Sequence, residues 1–339
     1  MAIVILSWNG KDYLAKFLPS VCKSTYLNLS IYVADNASTD DTVLFLKTNF
    51  PQVGIISNQV NVGFAGGYNQ AFKQIKADFY VLLNQDVEVE SGWIEPIVTL
   101  MFKQPDIAVC QPKIKAFYRR SCFEYAGAAG GYMDKYGYPF CRGRIFDTIE
   151  EDRGQYDQVN EIFWASGAAM FVRSSVYHSL GGMDDNFFAH MEEIDLCWRI
   201  HLAGYRICYC PESVVYHIGG GSLSRSDPRK TFLNYRNNLI MLTKNLPLKG
   251  KSSVLFFRKY LDRMAAVKSL MQGNYSTFRA IIMAHREYRK WLRKFNAKSS
   301  GHSIQAKRSL TELPGIYPNS IIWKYYVMQK KRFSDLGFF

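Results

Sequence analysis

Apolar and polar positions along the first 112 residues alternate in a regular rhythm. Short, nearly pure apolar runs, AIVIL (2–6), IYVA (31–34), VGIIS (53–57), FYVLL (79–83) and IAVCQ (107–111), are separated by segments near 11–24, 40–49, 66–76 and 92–103 whose apolar residues recur at helical spacing. Runs this short and this uniformly apolar read as strands buried on both faces. The spacers read as amphipathic helices, so the pattern predicts a mostly parallel sheet covered by helices on both sides. The rhythm breaks over 113–160, where a stretch rich in Gly and Tyr reads as loops or a β-excursion suited to cover a site. It resumes with a strand near 168–173, a short helix from 174, a helix inside FFAHMEEIDLCWRIHLAGYR (187–206), and strands in RICYC and SVVYHI. Beyond Pro228 four segments read as helices, the last being SIIWKYYVMQKKRF, and 296–309 reads as a polar linker.

In sheets of this kind a ligand lies outside the carboxyl ends of the strands. That rule selects SWNG (7–10), DNASTDDT (35–42), NQVNVGFAGG (58–67) and NQDVEVE (84–90), all polar or Gly-rich. In DNASTDDT, Ser38 or Thr39 is expected to cap the next helix with Asp40 and Asp41 in its first turn, which leaves Asp35 at the strand end to accept a base N–H. NVGFAGGYNQA is neither GxGxxG nor a Walker loop, which argues against a dinucleotide or P-loop cradle. Asp86 follows a buried strand, where a carboxylate is costly unless it meets a cation. One or two carboxylates with substrate phosphate oxygens suit a hard divalent ion.

The segment 187–206 sets Glu192, Glu193 and Asp195 in the first turns of a helix. Glu192 and Asp195 share a face while Glu193 points about 100° away from Glu192, so the three acids cannot do one job. Asp195 lies four residues before Arg199, which predicts an ion pair.

Composition narrows the class. With 48% hydrophobic and 21% charged residues in 339, the chain is expected to fold. The opening has no basic n-region or cleavage site, and no window approaches the roughly 18 apolar residues of a membrane span, so a cytoplasmic protein is expected. Seven scattered cysteines without a CxxC pair suggest neither disulfides nor a zinc site. The net charge of +13 is uneven: residues 1–227 hold 19 basic and 25 acidic residues, and 228–339 hold 23 basic and four acidic.

The motifs VILSWNG, DNASTDDT, NVGFAGGYNQA, LLNQDVEVE, SGAAMFVRSSV, GGMDDNFFAHMEEIDLCWRIHLAGY and VYHIGGGS, in this order over about residues 2–245, resemble family 2 glycosyltransferases, especially bacterial rhamnosyltransferase-like members. The resemblance implies a GT-A fold over 1–225, followed by a basic helical region over 226–339. It implies inverting transfer of a sugar from a nucleotide diphosphate, with dTDP-rhamnose the leading donor, to a saccharide or lipid-linked saccharide in surface polysaccharide synthesis. It places Ser7, Asn9, Asp35 and Asn61 in the nucleotide pocket and Asn84 to Asp86 at the DxD-like signature, with Asn84 where others carry the first Asp. Asp86 is then the main ligand of Mg2+ or Mn2+, with His217 able to reach the metal or diphosphate. The acid pair becomes Glu192-Glu193, with Glu193 as the base where the family usually has Asp. The alternative is a sugar-nucleotide-binding or scaffolding protein of the same fold without turnover. The basic region suits peripheral contact with anionic membrane on the inner leaflet. Nucleic acid is not expected, since no zinc-finger, RNP or helix-turn-helix pattern accompanies the charge.

Overall fold

A computed structural model describes residues 1–124, 126–219, 227–298 and 310–337. The first third realises the predicted alternation: β1 (Ala2–Ser7), α1 (Lys11–Cys22), β2 (Ser30–Asp35), α2 (Thr42–Asn49), β3 (Gly54–Ser57), α3 (Gly63–Phe72), β4 (Phe79–Asn84), β5 (Val87–Val89), α4 (Ile94–Lys103) and β6 (Ile107–Ala116). β7 (Arg119–Phe123) turns back on β6, and β8 (Gly131–Asp134), β9 (Pro139–Cys141), β10 (Arg144–Ile145) and β11 (Thr148–Ile149) form the expected excursion. β12 (Asn160–Glu161), β13 (Ala169–Arg173), α5 (Ser174–Ser179), α6 (Glu192–Leu202) and β14 (Arg206–His217) complete the sheet and its helical cover. Three helices come next, α7 (Pro228–Asn245), α8 (Leu248–Met271) and α9 (Tyr275–Lys298), and then a short β15 (Ile316–Tyr317).

The main sheet runs β12-β14-β6-β13-β4-β1-β2-β3. β1 to β4 are parallel, and so are β6 and β14, but β13 lies antiparallel between β4 and β6. A strand that enters after a long excursion is not bound to the crossover that makes successive strands parallel. Strand residues alternate between two cores. Ile3, Ile5, Val81 and Leu83 meet α1 and α4, while Val4, Ala34, Tyr80 and Leu82 meet α3, α5 and α6. Trp198, within DLCWR, is buried in the second core.

Several boundaries differ from the sequence expectation, each for a local reason. RICYC and SVVYHI form one strand, whose pairing with β6 shifts between Cys210 and Val214, where Pro211 has no N–H to donate. α2 begins only at Thr42, so neither Ser38 nor Thr39 caps it and Asp40 and Asp41 precede its first turn; Ser38 Oγ accepts from Asn9 N, and Asp40 accepts from Thr42 N and Oγ1. α3 starts three residues earlier than predicted, at Gly63, whose φ of 76° and close approach to the Phe188 carbonyl exclude a side chain. SIIWKYYVMQKKRF makes a single π-helical turn, Trp323–Val327, instead of a helix, as Tyr325 drops into the excursion against Phe146 and Thr148. Most of the linker expected at 296–309, and the last glycines of VYHIGGGS, lie outside the described residues.

α7 ties the sheet to the helices α8 and α9. Asn237 is buried and its side-chain amide donates to the carbonyls of Phe187, Ala189 and His190, the turn that leads into α6. That turn is strained, with left-handed φ at Phe188, His190 and Met191. Asn237→Ala removes the donor shared by those carbonyls, of which Phe187's keeps Arg236 and the Ala189 N–H, and we expect chemical denaturation to show a loss of about 1–3 kcal/mol. Hydrogen exchange at the start of α6 should rise in the same variant.

Candidate active site

The site is assembled at the carboxyl ends of β1, β2 and β4. In the sheet register Ser7 lies beside Asp35, Asp35 beside Ser57, and Leu6 beside Asn84, so the polar residues after each apolar run converge. Asp35 is buried. Its Oδ2 accepts from Ser38 N at 3.2 Å, while Oδ1 is buried without a partner. An acceptor left in that state is open to an N–H donor from a ligand.

Around it a polar scaffold fixes the loops. Asn36, which carries no distinguishing mark in the sequence, donates to Asn61 Oδ1 and the Gly63 carbonyl and accepts from Asn58 Nδ2 and Val62 N. Asn61 Oδ1 also accepts from Gly63 N, and Asn9 Oδ1 accepts from Thr39 N. Ser7 is buried, and its hydroxyl donates to Gln85 Oε1 at 2.8 Å. Gly10 presses on this pair so closely that a Cβ there would sit 2.0 Å from Gln85 Oε1. Asn9, Asn61 and Ser7 thus hold the loops through these oxygens.

A second cluster forms because the chain reverses after β4. β5 pairs antiparallel with the end of β14, setting Val87 opposite His217 and Asp86 at its side. His217 Nε2 lies 3.1 Å from Asp86 Oδ1 and 3.3 Å from Asn84 Nδ2. The β6–β7 hairpin adds a residue that sequence reasoning missed: Glu124, whose Oε2 lies 3.2 Å from His217 Nδ1. Its signal was the one that marked Asp86, an acid at the end of a strand, but only the pairing of β14 with β6 brings it to His217. All three side chains are buried. Burial pulls the imidazolium pKa down, and the Asp86 and Glu124 carboxylates more than offset this, holding it at about 10.

This arrangement fits a divalent ion. A carboxylate oxygen and an imidazole nitrogen converge, and a second carboxylate behind the ring orients it, a common arrangement around metal-bound histidine; an ion would have to displace the Nε2 proton shared with Asp86. Among the described residues no cluster of three or more ligand side chains occurs. Asp86 and His217 would therefore leave most of the coordination shell to diphosphate oxygens and water.

The acid pair stands at a third point, tied to the first through the strained turn. The Phe188 carbonyl accepts from Phe64 N at 2.6 Å, at the start of α3. Glu192 is buried, and burial followed by the charge of Glu193 pushes its carboxyl well above the usual range. Glu193 is partly exposed, but its Oε2 is buried without a partner, and burial raises its pKa to about 7 against the pull of backbone N–H groups. Asp195, on the face of α6 that Glu192 shares, is committed to other partners. It pairs with Arg199 at 2.9 Å and with Lys244 at 3.1 Å, and accepts from Asn245 Nδ2 at 2.8 Å.

Known proteins share both the sequence pattern and the architecture. The sequence model described as Glycosyl transferase family 2 matches residues 2–175. An N-acetylglucosaminyl-diphospho-decaprenol L-rhamnosyltransferase of Mycobacterium tuberculosis is 23% identical over 256 residues, covering 71% of this chain and 83% of that protein. Rhamnosyltransferase WbbL of Escherichia coli K12 is 24% identical over 229 residues, covering 63% and 82%. Among solved structures, the mannosyltransferase PcManGT from Pyrobaculum calidifontis, in complex with GDP-Man and Mn2+, superposes with a TM-score of 0.53 at 14% identity, over 90% of this chain and 76% of that one. That likeness extends to the fold, which is GT-A. With half of its length matched by the family model and the strand-end motifs gathered on one edge of the sheet, the chain belongs to glycosyl transferase family 2.

Proposed function

We propose that this glycosyltransferase moves one sugar, with inversion at the anomeric carbon, from a nucleotide diphosphate donor to the hydroxyl of a saccharide, lipid-linked in the leading reading, during surface polysaccharide synthesis. The leading donor is dTDP-rhamnose. Support for sugar and acceptor comes from the relatives, two of which are named as rhamnosyltransferases, one acting on a decaprenol-linked substrate. The division of labour is one between residues 1–225, which carry donor and acid residues, and 226–339, which support them.

The observation that carries the reading is the state of Glu193. Inverting transfer needs a base that can take the acceptor's proton while the diphosphate leaves on the opposite side of the sugar. A carboxyl raised to about 7, partly open and with an unpartnered oxygen, exchanges a proton at neutral pH. Glu192, buried and raised well above the ordinary carboxylate range by burial and by the charge of Glu193, is suited to stay neutral beside it and set its position. Asp35 Oδ1 would accept a base N–H, within the loops held by Ser7, Asn9 and Asn61. Asn84, Asp86 and His217 would hold Mg2+ or Mn2+ with Glu124 fixing the imidazole. The ion, when bound, stabilises the negative charge that gathers on the departing diphosphate.

The first test is release of nucleoside diphosphate from dTDP-rhamnose, UDP-galactose, UDP-glucose and GDP-mannose, with Mn2+ and with EDTA. Turnover of one donor that depends on metal and acceptor supports the proposal; donor binding without turnover would overturn it. Glu193→Gln should lower transfer by at least about 10²-fold with donor affinity kept. Because the protonated carboxyl cannot accept a proton, wild-type kcat/KM should rise with pH up to about 7 and level off, and the variant should lose that limb.

The same group couples to stability. Its pKa rises from the ordinary 4.5 to about 7 on folding, so the fold binds a proton that the unfolded chain has released, and stability falls as pH rises through that window. Urea midpoints at pH 5 and pH 8 should differ less in Glu193→Gln than in wild type. At the metal cluster, Glu124→Gln should weaken Mn2+ binding about ten- to hundredfold by calorimetry and lower Tm, because the buried imidazole loses one of its two carboxylates; unchanged affinity would remove Glu124 from the site.

A further inference from the structure

α8 and α9 form a hairpin whose two exposed faces differ in kind. Along α8, Phe256, Tyr260, Met264, Val267 and Met271 recur at intervals of three and four residues and are exposed, from 51% to 84%. The opposite side of the helix carries the buried Arg258, Asp262 and Ala266, with Asp262 bonded to Arg258 and to His285 of α9. The outward orientation of the apolar stripe is thus fixed by a buried ion pair. α9 buries Ile281, Ala284 and Tyr288 and turns Arg279, Arg286, Arg289, Lys290, Arg293 and Lys294 to solvent.

Acids that would neutralise this face are nearly missing among the described residues. Asp262 has no exposure, and Glu287 is engaged by Lys290 at 2.7 Å. The cations of the two helices crowd one another: burial, and then repulsion from Arg263 and Arg289, lower the pKa of Lys259. A face kept only for solubility interleaves both signs and scatters its apolar groups, and this one does neither. No helix among the described residues is long and apolar enough to cross a membrane. A surface of this kind lies in the plane of an interface, with apolar side chains at the acyl boundary and cations among the headgroups.

We propose that the α8–α9 hairpin docks this enzyme on a bilayer of anionic lipid. A second copy fits poorly, since it would bring one cationic face against another. Nucleic acid would use the cations but leave Met264, Val267 and Met271 without a base to stack on. α7 packs on α9 and reaches α6 through Lys244 and Asn245, so the docked surface and the helix bearing the acid pair belong to one packed unit. Lipid binding needs neither donor nor acceptor, so it stands or falls apart from their assignment.

The test is flotation of the full chain with phosphatidylcholine vesicles, either neutral or containing about 30% phosphatidylglycerol. Binding to the anionic vesicles alone, weakening as salt rises, is expected. Two variants separate the parts of the surface, R286S/R289S/K290S/R293S and M264S/V267S/M271S. Each should lower partitioning at least about tenfold with Tm and donor hydrolysis unchanged. Equal binding to neutral vesicles, or no effect of either variant, overturns the proposal. So does a dimer in solution that the apolar variant dissociates while vesicle binding persists, or tighter binding of a labelled oligonucleotide than of vesicles.

Discussion

A carboxylate with no exposure to water organises the acid side of this enzyme. Asp195 lies at the floor of α6 and is held by Arg199 from its own helix and by Lys244 and Asn245 from α7. Removing one partner from such a group leaves a buried charge uncompensated, which is far worse than never having built the pair. The pairing therefore dictates where α7 lies on α6. Once α7 is placed, Asn237 falls over the carbonyls of the turn before Glu192, and that turn can hold three left-handed residues that would otherwise relax. Arg199 also donates to the carbonyls of Leu180 and Gly182, so its guanidinium ties the turn after α5 to α6 while Asn237 holds the turn before Glu192.

The two other clusters owe their form to the sheet. A chain leaving β4 could run straight on into a loop; instead β5 folds back along β14, and that reversal puts Asp86 against an imidazole 131 residues later in the chain. The same strand carries the partner of β6, so Glu124 arrives from the other side. Three acidic or basic groups meet in a dry place because three separate backbone pairings end there. Inside the cluster the imidazole lies between two carboxylates, whose charges hold its pKa up against burial.

Much of this was legible in the sequence, and the parts that were not share a cause. The strands of the first third and the Asp195–Arg199 pair follow from period, spacing and local chemistry, which act within a few residues. Asp35 and Asp86 were selected by their position after a strand, and His217 by likeness to a family. Asn36 and Asn237 carried no mark, and Glu124 only that of an acid at a strand end, because their partners are set by tertiary pairing between distant segments. The antiparallel insertion of β13 and the π-turn at Trp323 are of the same kind, decided by which edge or cavity was still open when the segment arrived.

The small second sheet carries a consequence for how the molecule is made. β15 pairs in parallel with β8, and Asp134, at the end of β8, accepts from Ile321 N, so the excursion is completed by a residue 187 positions later. Phe333 adds its ring to Tyr132 and Phe140 and its N–H to Glu150. On a ribosome, the first sheet can close while this one still presents a bare strand edge, the kind of surface that captures other chains. The segment from β15 to Phe333 is therefore a molecular clasp for the excursion, and a nascent chain stalled before residue 316 would leave the ribosome with the wrong side of a sheet open.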